Sequence, residues 1–391
     1  MKIALFTDTY PPFINGVSTS CYNLVQVLKK HGNDVLVVTP RSTDGPLEMK
    51  DGIIYVPGIE LKKLYGYRIT NLYSPKVFRM IRDFKPEIIH NQTDSTIGQF
   101  AKIVAGKLKT PILYTYHTSY EDYTYYATHG YFDRLAKKII RSYTVNVADN
   151  TTEFITPSYK TMQYLRRAGS DIYVNIIPTG INFDLFGDDK VDFDRQEAFR
   201  KEHDITSDTK VFLILGRIAK EKSMDFSLKS LSLYHDRHPE QKIKVILVGG
   251  GPQLDELKEL VKTLSIKNLV DFIGPVPASE VPFYYHLADV YTSASITETQ
   301  GLTFMEAMAA KTIVLARFDT NLAETIIDNE TGFFFRDEED FVLKVERIFS
   351  MSPKELDHIK KSAINICDTY SLEKFYDRIM EVYRRAIRKC W

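Results

Sequence analysis

The chain has little cysteine and no excess of charge, and both shortages exclude classes of protein. Its 391 residues include only three cysteines, which are too few and too widely spaced for a disulfide framework or a metal-binding quartet. The 51 Lys and Arg residues equal the 51 Asp and Glu residues in number, which argues against a general binder of nucleic acid. Local basic patches remain compatible with this balance.

Long apolar runs are also lacking. No segment contains the run of about 18 apolar residues that a membrane-spanning helix requires, and the opening MKIALFTDTYPP holds too short an apolar stretch for a signal peptide. The length exceeds the roughly 250–300 residues at which one hydrophobic core stops growing, which predicts two domains. We therefore expect a two-domain protein that is cytoplasmic, or peripheral on the inner face of the cell membrane.

What the chain does contain is a regular alternation of short β-rich apolar runs and amphipathic helical segments, which is typical of parallel α/β folds. Strands are predicted at residues 2–7, 34–39, 53–57, 87–90, 111–117, 153–157 and 174–178, and again at 210–215, 242–248, 270–273, 290–293 and 313–316. Runs such as VFLIL and KVILV show no polar alternation, so helices should cover both faces of each sheet. The predicted fold class is α/β, with two Rossmann-like doubly wound domains and a ligand in an interdomain cleft.

The predicted junction between the domains is a charged segment at residues 184–208, which is poor in strand formers. It divides the chain into an N-terminal domain at 1–183 and a C-terminal domain at 184–370. The last stretch, 371–391, is predicted to be a helix that packs back on the first domain.

Three residues near predicted strand ends suit a phosphate ligand. Gly16 begins a predicted helix, where free backbone N–H groups can bind an anionic oxygen, although a glycine at a helix start can equally lack a ligand. Arg217 and Lys222 follow the first strand of the second half, and such a pair either neutralises a diphosphate or stays solvated. The dinucleotide fingerprint G-x-G-x-x-G does not follow the first strand, which counts against a dehydrogenase.

Two glutamates form the most specific pattern in the chain. Glu298 and Glu306 are separated by seven residues, and Gly301 and Leu302 begin a predicted helix between them. A buried carboxylate without a cationic neighbour requires hydroxyl donors, which a ribose diol would supply. The single D-x-D, at residues 192–194, lies in the charged segment and reads as solvated surface, so no metal site is predicted.

Five motifs occur in order at suitable distances: Y-P-P-x-x-x-G-V, G-R-x-x-x-E-K, V-G-x-G-P, F-x-G-x-V and the E-x7-E pair around Q-G-L. Over essentially its whole length the chain resembles retaining GT-B glycosyltransferases, which use nucleotide-sugar donors and no D-x-D metal site. The resemblance implies a donor site made of Gly16, Arg217, Lys222, Gly274, Val276, Gln300, Gly301, Leu302 and Glu306, with His117 and Glu298 as the catalytic residues near the sugar. The chain departs from the family pattern at Ser223, where a glycine is usual.

In this family Gly16, Arg217 and Lys222 would contact the diphosphate, and the backbone around Gly274 and Val276 would contact the base, typically uracil. Glu306 would bind the ribose. These assignments require no prosthetic group, and they leave room for stimulation by Mg²⁺ without a metal site.

A basic helix suggests the acceptor. Arg134, Lys137, Lys138 and Arg141 recur at helical spacing opposite an apolar stripe, which is typical either of a helix lying on an anionic membrane or of a core-packed helix with a solvated face. Residues 113–180 resemble bacterial diacylglycerol α-glucosyltransferases, which implies UDP-glucose, diacylglycerol and anionic membrane lipids as partners and no protein partner.

Other interpretations remain open. The same fold can act on a soluble or phosphoinositide-type acceptor, and a UDP-sugar epimerase or a non-catalytic nucleotide-sugar sensor would share the two-domain layout. A second basic cluster near the C-terminus, which includes Arg385 and Lys389, either contacts lipid headgroups or complements its own helix dipole.

Overall fold

The fold comes from a computed structural model that describes residues 1–13, 15–61, 67–117, 133–296, 298 and 300–390, with the backbone alone at 67 and 133–137. The chain forms two compact units, of which one comprises Met1–Gly180 with Leu372–Trp391 and the other Ile181–Ser371. The charged segment 184–208 lies in the first part of the second unit, which begins at Ile181. There Asp192, the first residue of the D-x-D, accepts a hydrogen bond from the Arg195 amide as the N-cap of a helix.

The first unit contains an eight-stranded sheet in the order β10-β9-β8-β7-β1-β2-β4-β3, parallel except for the β3–β4 pair. All seven strands predicted for the first half are present. The strands are β1 (Lys2–Phe6), β2 (Asp34–Pro40), β3 (Glu48–Lys50), β4 (Ile53–Val56), β7 (Ile88–Asn91), β8 (Ile112–Thr115), β9 (Glu153–Thr156) and β10 (Val174–Ile176), with a separate hairpin of β5 (Gly58–Leu61) and β6 (Tyr67–Thr70). The sequence did not predict β3 or the hairpin, because β3 is a fully exposed edge strand without an apolar face.

Within the described part of the first unit, six helices accompany this sheet. They are α1 (Gly16–Lys30), α2 (Pro75–Phe84), α3 (Thr96–Leu108), α4 (Asp133–Asp149), α5 (Tyr159–Ala168) and α13 (Leu372–Lys389), in our numbering along the chain. Helix α1 buries Cys21, Leu24 and Leu28 in a cluster that also holds apolar side chains of α13. The C-terminal helix therefore belongs to the core of the first unit.

The second unit contains a six-stranded, fully parallel sheet in the order β13-β12-β11-β14-β15-β16. Its strands are β11 (Lys210–Leu215), β12 (Ile243–Val248), β13 (Val270–Gly274), β14 (Val290–Ser293), β15 (Ile313–Arg317) and β16 (Phe333–Phe335). The helices described in this unit are α6 (Phe193–Glu202), α7 (Met224–Arg237), α8 (Leu254–Thr263), α9 (Val281–Leu287), α10 (Leu302–Ala309), α11 (Glu338–Ser350) and α12 (Pro353–Cys367). Two apolar clusters, one on each face, bury alternate residues of β11 and β12. Both faces are covered, as the unbroken apolar runs predict.

Candidate active site

The loops after β11 and β14 bring three predicted site residues together in the second unit. Because these strands are parallel neighbours, their carboxyl ends meet at one edge of the sheet. The Lys222 ammonium lies 2.6 Å from a carboxylate oxygen of Glu298, and the Arg217 guanidinium contacts the Glu221 carboxylate. Lys222 and Glu298 therefore form one ion pair, a contact that their separation of 76 residues in the chain did not predict.

A glycine-rich loop holds the Arg217 segment in place. Gly249 follows β12 with a φ of +143°, and a Cβ at that position would lie 1.9 Å from the carbonyl oxygen of Gly216. A Cβ on Gly251 would similarly lie 2.2 Å from the carbonyl oxygen of Ile218. Only glycine permits the two loops to approach this closely. In the sequence these glycines belong to the V-G-x-G-P motif, one of the five that carry the family resemblance.

Ser223 occupies the position where the family has glycine, and it adopts the left-handed conformation that glycine favours, with φ of 46° and ψ of 41°. It directly follows Lys222 and precedes α7. The loop thus keeps a left-handed turn here despite the substitution, at a cost of about 1–2 kcal/mol for a residue with a side chain.

Glu306 lies in the second turn of α10, and Tyr285 of α9 contacts it. The Tyr285 hydroxyl is 3.0 Å from Oε2 of Glu306. Burial raises the pKa of the Glu306 carboxyl to about 7, and the hydrogen bond from Tyr285 opposes that rise. The sequence did not indicate Tyr285, because a tyrosine within the apolar VPFYYHL segment reads as core packing.

The residues around the start of α10 form a tight turn. Gly301 is the N-cap of α10 with a φ of +75°, and Leu302 is the first residue of the helix. Gln300 is buried beside them. On β13 the Gly274 carbonyl accepts a hydrogen bond from the Gly249 amide, and Val276 packs on an apolar cluster.

In the first unit, Asp8, Gln92 and His117 follow the adjacent parallel strands β1, β7 and β8. Nε2 of His117 is 2.6 Å from the Gln92 side-chain oxygen, and burial lowers the pKa of the imidazole to about 4. The Asp8 carboxylate accepts hydrogen bonds from Thr93 and Ser95; burial raises its pKa, and those hydrogen bonds lower it. The lowered pKa of His117 leaves its imidazole neutral at pH 7.

Gly16 is the first residue of α1, and its neighbour Asn15 is the N-cap. The Asn15 side-chain oxygen accepts a hydrogen bond of 2.8 Å from the Ser18 amide. That bond satisfies one of the free N–H groups at this helix end, which leaves fewer for an anion.

The basic residues fall into two groups. The side chains of Arg134 and Lys137 lie outside the described residues, whereas Lys138 and Arg141 are exposed on α4. At the C-terminus, Arg385 and Lys389 bind the buried carboxylate of Glu153, so these two serve the interior of the first unit rather than a lipid surface or the helix dipole.

The described residues contain no cluster of three or more His, Cys, Asp or Glu side chains able to hold a metal ion. Within the same described ranges, no helix combines the length and the apolar character needed to cross a membrane.

Known proteins resemble this chain over its whole length. Residues 14–185 match the family Glycosyltransferase Family 4, and residues 195–365 match Glycosyl transferases group 1. The alpha-monoglucosyldiacylglycerol synthase of Acholeplasma laidlawii is 31% identical over 100% of this chain and 98% of its own length. The protein of that name from Streptococcus pneumoniae is 31% identical over 99% of this chain and 86% of its own length.

Solved structures share the fold. HepE of Anabaena in complex with UDP and glucose has a TM-score of 0.75 at 18% identity, covering 98% of this chain and 99% of that one. Sucrose-phosphate synthase of Thermosynechococcus elongatus has a TM-score of 0.77 at 20% identity, covering 99% of each. Together with the two parallel-sheet units, these matches define a glycosyltransferase of the GT-B fold, as the motifs predict. More specifically, the chain belongs to the glycosyltransferase family that contains the alpha-monoglucosyldiacylglycerol synthases.

Proposed function

We propose that this enzyme transfers glucose from UDP-glucose to the free hydroxyl of diacylglycerol with retention of the anomeric configuration, forming α-monoglucosyldiacylglycerol. The observation that carries the proposal is the 31% identity, over the full chain, with synthases of that product. The fold neighbour HepE, solved with UDP-glucose, supports the choice of donor.

The donor site is proposed to lie at the carboxyl edge of the sheet in the second unit. Glu306 binds the ribose diol, since its carboxylate has no cationic partner among the described residues and accepts hydroxyl hydrogens instead. Gly274 and Val276 lie beside the base, and Gln300, Gly301 and Leu302 lie beside the sugar and phosphates, where the start of α10 offers backbone N–H groups.

The cations supply the electrostatic part of catalysis. When the bond from glucose to the diphosphate breaks, negative charge accumulates on the leaving group, and Arg217 and Lys222 lie where they can stabilise it. Their contacts with Glu221 and Glu298 hold both cations in place before the donor binds. Glu298 then contacts the glucose hydroxyls, and the acceptor hydroxyl attacks the anomeric carbon from the face that the leaving group vacates and gives its proton to an oxygen of the departing diphosphate.

The first unit is proposed to serve the acceptor and the sugar. His117 is neutral at pH 7 and therefore acts as a hydrogen-bonding group near the glucose rather than as a charge. Gly16 would approach the diphosphate. The basic side chains of α4 would hold the enzyme on anionic lipid at the inner face of the membrane, with Lys138 and Arg141 exposed for that contact.

The decisive experiment is donor turnover with and without vesicles that contain diacylglycerol, followed by identification of the lipid product. We expect UDP release to depend on the lipid and glucose to appear in monoglucosyldiacylglycerol. Lipid-independent release of UDP or of free sugar would instead support a soluble acceptor or an epimerase.

Alanine variants test the two glutamates separately. Glu306→Ala should weaken UDP binding, whereas Glu298→Ala should mainly lower turnover, because only Glu298 lies beside the diphosphate-binding Lys222. Near-wild-type activity of both variants would contradict the assigned site.

Neutralising the basic face of α4 tests the membrane contact. The variant Lys137→Gln, Lys138→Gln, Arg141→Gln should lose sedimentation with anionic liposomes and keep UDP affinity. Unchanged sedimentation would remove the membrane part of the proposal, and the exposed pair Arg166 and Arg167 on α5 provides a control of similar charge.

A further inference from the structure

Tyr285 brings a phenolic hydroxyl against the carboxylate of Glu306 from the interior of the second unit. The hydroxyl oxygen lies 3.0 Å from Oε2 of Glu306 and 3.0 Å from the carbonyl oxygen of Thr303. The ring is fully buried and packs edge-on against Phe186 and Tyr291. Because this packing surrounds the ring, the hydrogen-bond acceptors of the Tyr285 hydroxyl are protein groups.

The Tyr285 hydroxyl has a single proton and can donate it to only one of these two acceptors at a time. Burial, and then the charge of Glu306, raise the pKa of the Tyr285 hydroxyl far above its ordinary value, so it keeps its proton. An ionised carboxylate is a stronger acceptor than a carbonyl, and the proton therefore goes to Glu306 whenever that group is charged. Thr303 provides the alternative acceptor when Glu306 is protonated.

The other oxygen of the same carboxylate is arranged differently. Among the described residues, none donates a hydrogen bond to Oε1 of Glu306, although the residue keeps partial exposure. A carboxylate with one oxygen bonded to a buried donor and the other without a protein donor has a fixed orientation and spare lone pairs.

We propose that Tyr285 is a positioning residue of the donor site: its hydroxyl holds Oε2 of Glu306, and Oε1 is thereby presented to the ribose diol of the nucleotide sugar. The inference rests on the role of Glu306 in the proposed function. Tyr285 does not touch the donor and acts through Glu306.

A pH profile distinguishes this role from ordinary packing. Removing the Tyr285 hydroxyl deletes the hydrogen bond that opposes the effect of burial, so the pKa of Glu306 should rise above its value of about 7. Other titratable groups on elements packed near α10 include Tyr291 of β14, whose hydroxyl bonds to Thr303, and Cys367 of α12, whose pKa burial raises to about 12. They also include His286 of α9, whose pKa burial lowers. Burial and, to a smaller extent, the charge of Glu298 in the loop after β14 raise the pKa of Tyr291.

The experiment is a calorimetric titration of UDP into the full-length enzyme from about pH 5.5 to pH 9. In the wild type, UDP affinity should fall on the acid side as Glu306 becomes protonated. In Tyr285→Phe the midpoint of that fall should move up by about one pH unit, the size expected for losing a hydrogen bond to a charged group. Binding at pH 7 should then be several-fold to tenfold weaker, with a smaller difference at pH 9.

Tyr291→Phe is the matched control. This tyrosine is equally buried and loses a hydrogen bond of 2.8 Å to Thr303, but it does not bond to Glu306. Its midpoint should equal that of the wild type. A midpoint in Tyr285→Phe that matches either the wild type or Tyr291→Phe overturns the positioning role.

Glu306→Gln separates this inference from the proposed function. In that background Tyr285→Phe should change UDP affinity by less than about twofold, because the group through which Tyr285 acts can no longer ionise. If Glu306→Gln binds UDP like the wild type, the ribose role of Glu306 is wrong and Tyr285 has nothing to position. If only Glu306→Gln weakens binding, the ribose role stands and the positioning role is wrong.

A second variant covers the case in which Tyr285→Phe does not fold. Replacing Tyr285 by 3-fluorotyrosine keeps the ring and the hydroxyl and makes the hydroxyl a stronger donor. The midpoint should then move to lower pH. An unchanged midpoint in this variant also overturns the proposal.

Discussion

The C-terminal helix α13 is anchored in the first unit by a buried carboxylate, and Arg385→Met should release it. Glu153 of β9 is almost fully buried, with 1% of its side chain exposed, and Arg385 binds it through two hydrogen bonds of 2.7 and 2.9 Å. Lys389 adds an ion pair of 2.8 Å, and Asn175 adds a hydrogen bond of 2.9 Å. Removing one partner leaves a buried charge incompletely compensated.

The magnitude follows from the pKa of Glu153. Burial alone would raise that pKa, but the hydrogen bonds and charges around it outweigh burial and lower it from 4.5 to about 2. At about 1.4 kcal/mol per pKa unit this corresponds to about 3 kcal/mol, and screening of the partly exposed Arg385 and Lys389 reduces it to about 2 kcal/mol. The stabilisation is present above pH 4.5 and is lost as the pH falls toward 2.

The assay is amide hydrogen exchange of residues 372–389 in the full-length enzyme, because it measures the opening of α13 without unfolding both units. At pH 7, Arg385→Met should speed exchange in this helix by up to roughly 30-fold, the limit set by about 2 kcal/mol for all partners of Glu153 together. In the wild type, the protection of the α13 amides should decline between about pH 5 and pH 2. Most of this pH dependence should be absent in Arg385→Met.

Glu373→Gln, at the start of the same helix, is the control. Glu373 pairs with Lys30 and His31 at 2.6 Å each, but about half of its side chain is exposed. Exposed pairs contribute little, so exchange should change by no more than a few-fold. If both variants affected α13 equally, burial of Glu153 would not be the source of the anchoring.

Three further predictions concern stability. Ser223→Gly should raise the free energy of unfolding of the second unit by about 1 kcal/mol, measured by denaturant titration, because Ser223 is left-handed; a loss of stability would contradict the strain argument. Gly249→Ala should lower the free energy of unfolding by about 3 kcal/mol or more and weaken UDP binding, since its Cβ would lie 1.9 Å from a carbonyl oxygen. Gly274→Ala has open space around its Cβ and should lower the same free energy by only about 1–2 kcal/mol. Asp192→Ala should lower stability by about 1 kcal/mol through loss of a helix cap, and Asp194→Ala should leave it nearly unchanged.

The amino-acid sequence predicted the parallel strands well, because buried central strands consist of uninterrupted β-branched and apolar residues. β11 and β12, as KVFLIL and IKVILV, are examples. Short or exposed strands such as β3 carry no comparable pattern, since an edge strand buries no face. The charged segment 184–208 gave no helix prediction, although it contains α6, because solvent-exposed helices and linkers have the same composition and α6 buries no residue.

The sequence by itself determined which chemical groups this glycosyltransferase carries and near which strand ends they lie, since motif spacing and strand periodicity are local properties of the chain. Only the tertiary structure decided which of these side chains contact each other: Lys222 with Glu298, Tyr285 with Glu306, and Arg385 with Glu153. Each pair joins residues that are distant in the chain, and their contact depends on the order and register of parallel strands and on helix packing. Burial, which raises the pKa of Glu306, arises from the same long-range packing, and no short window of residues encodes it.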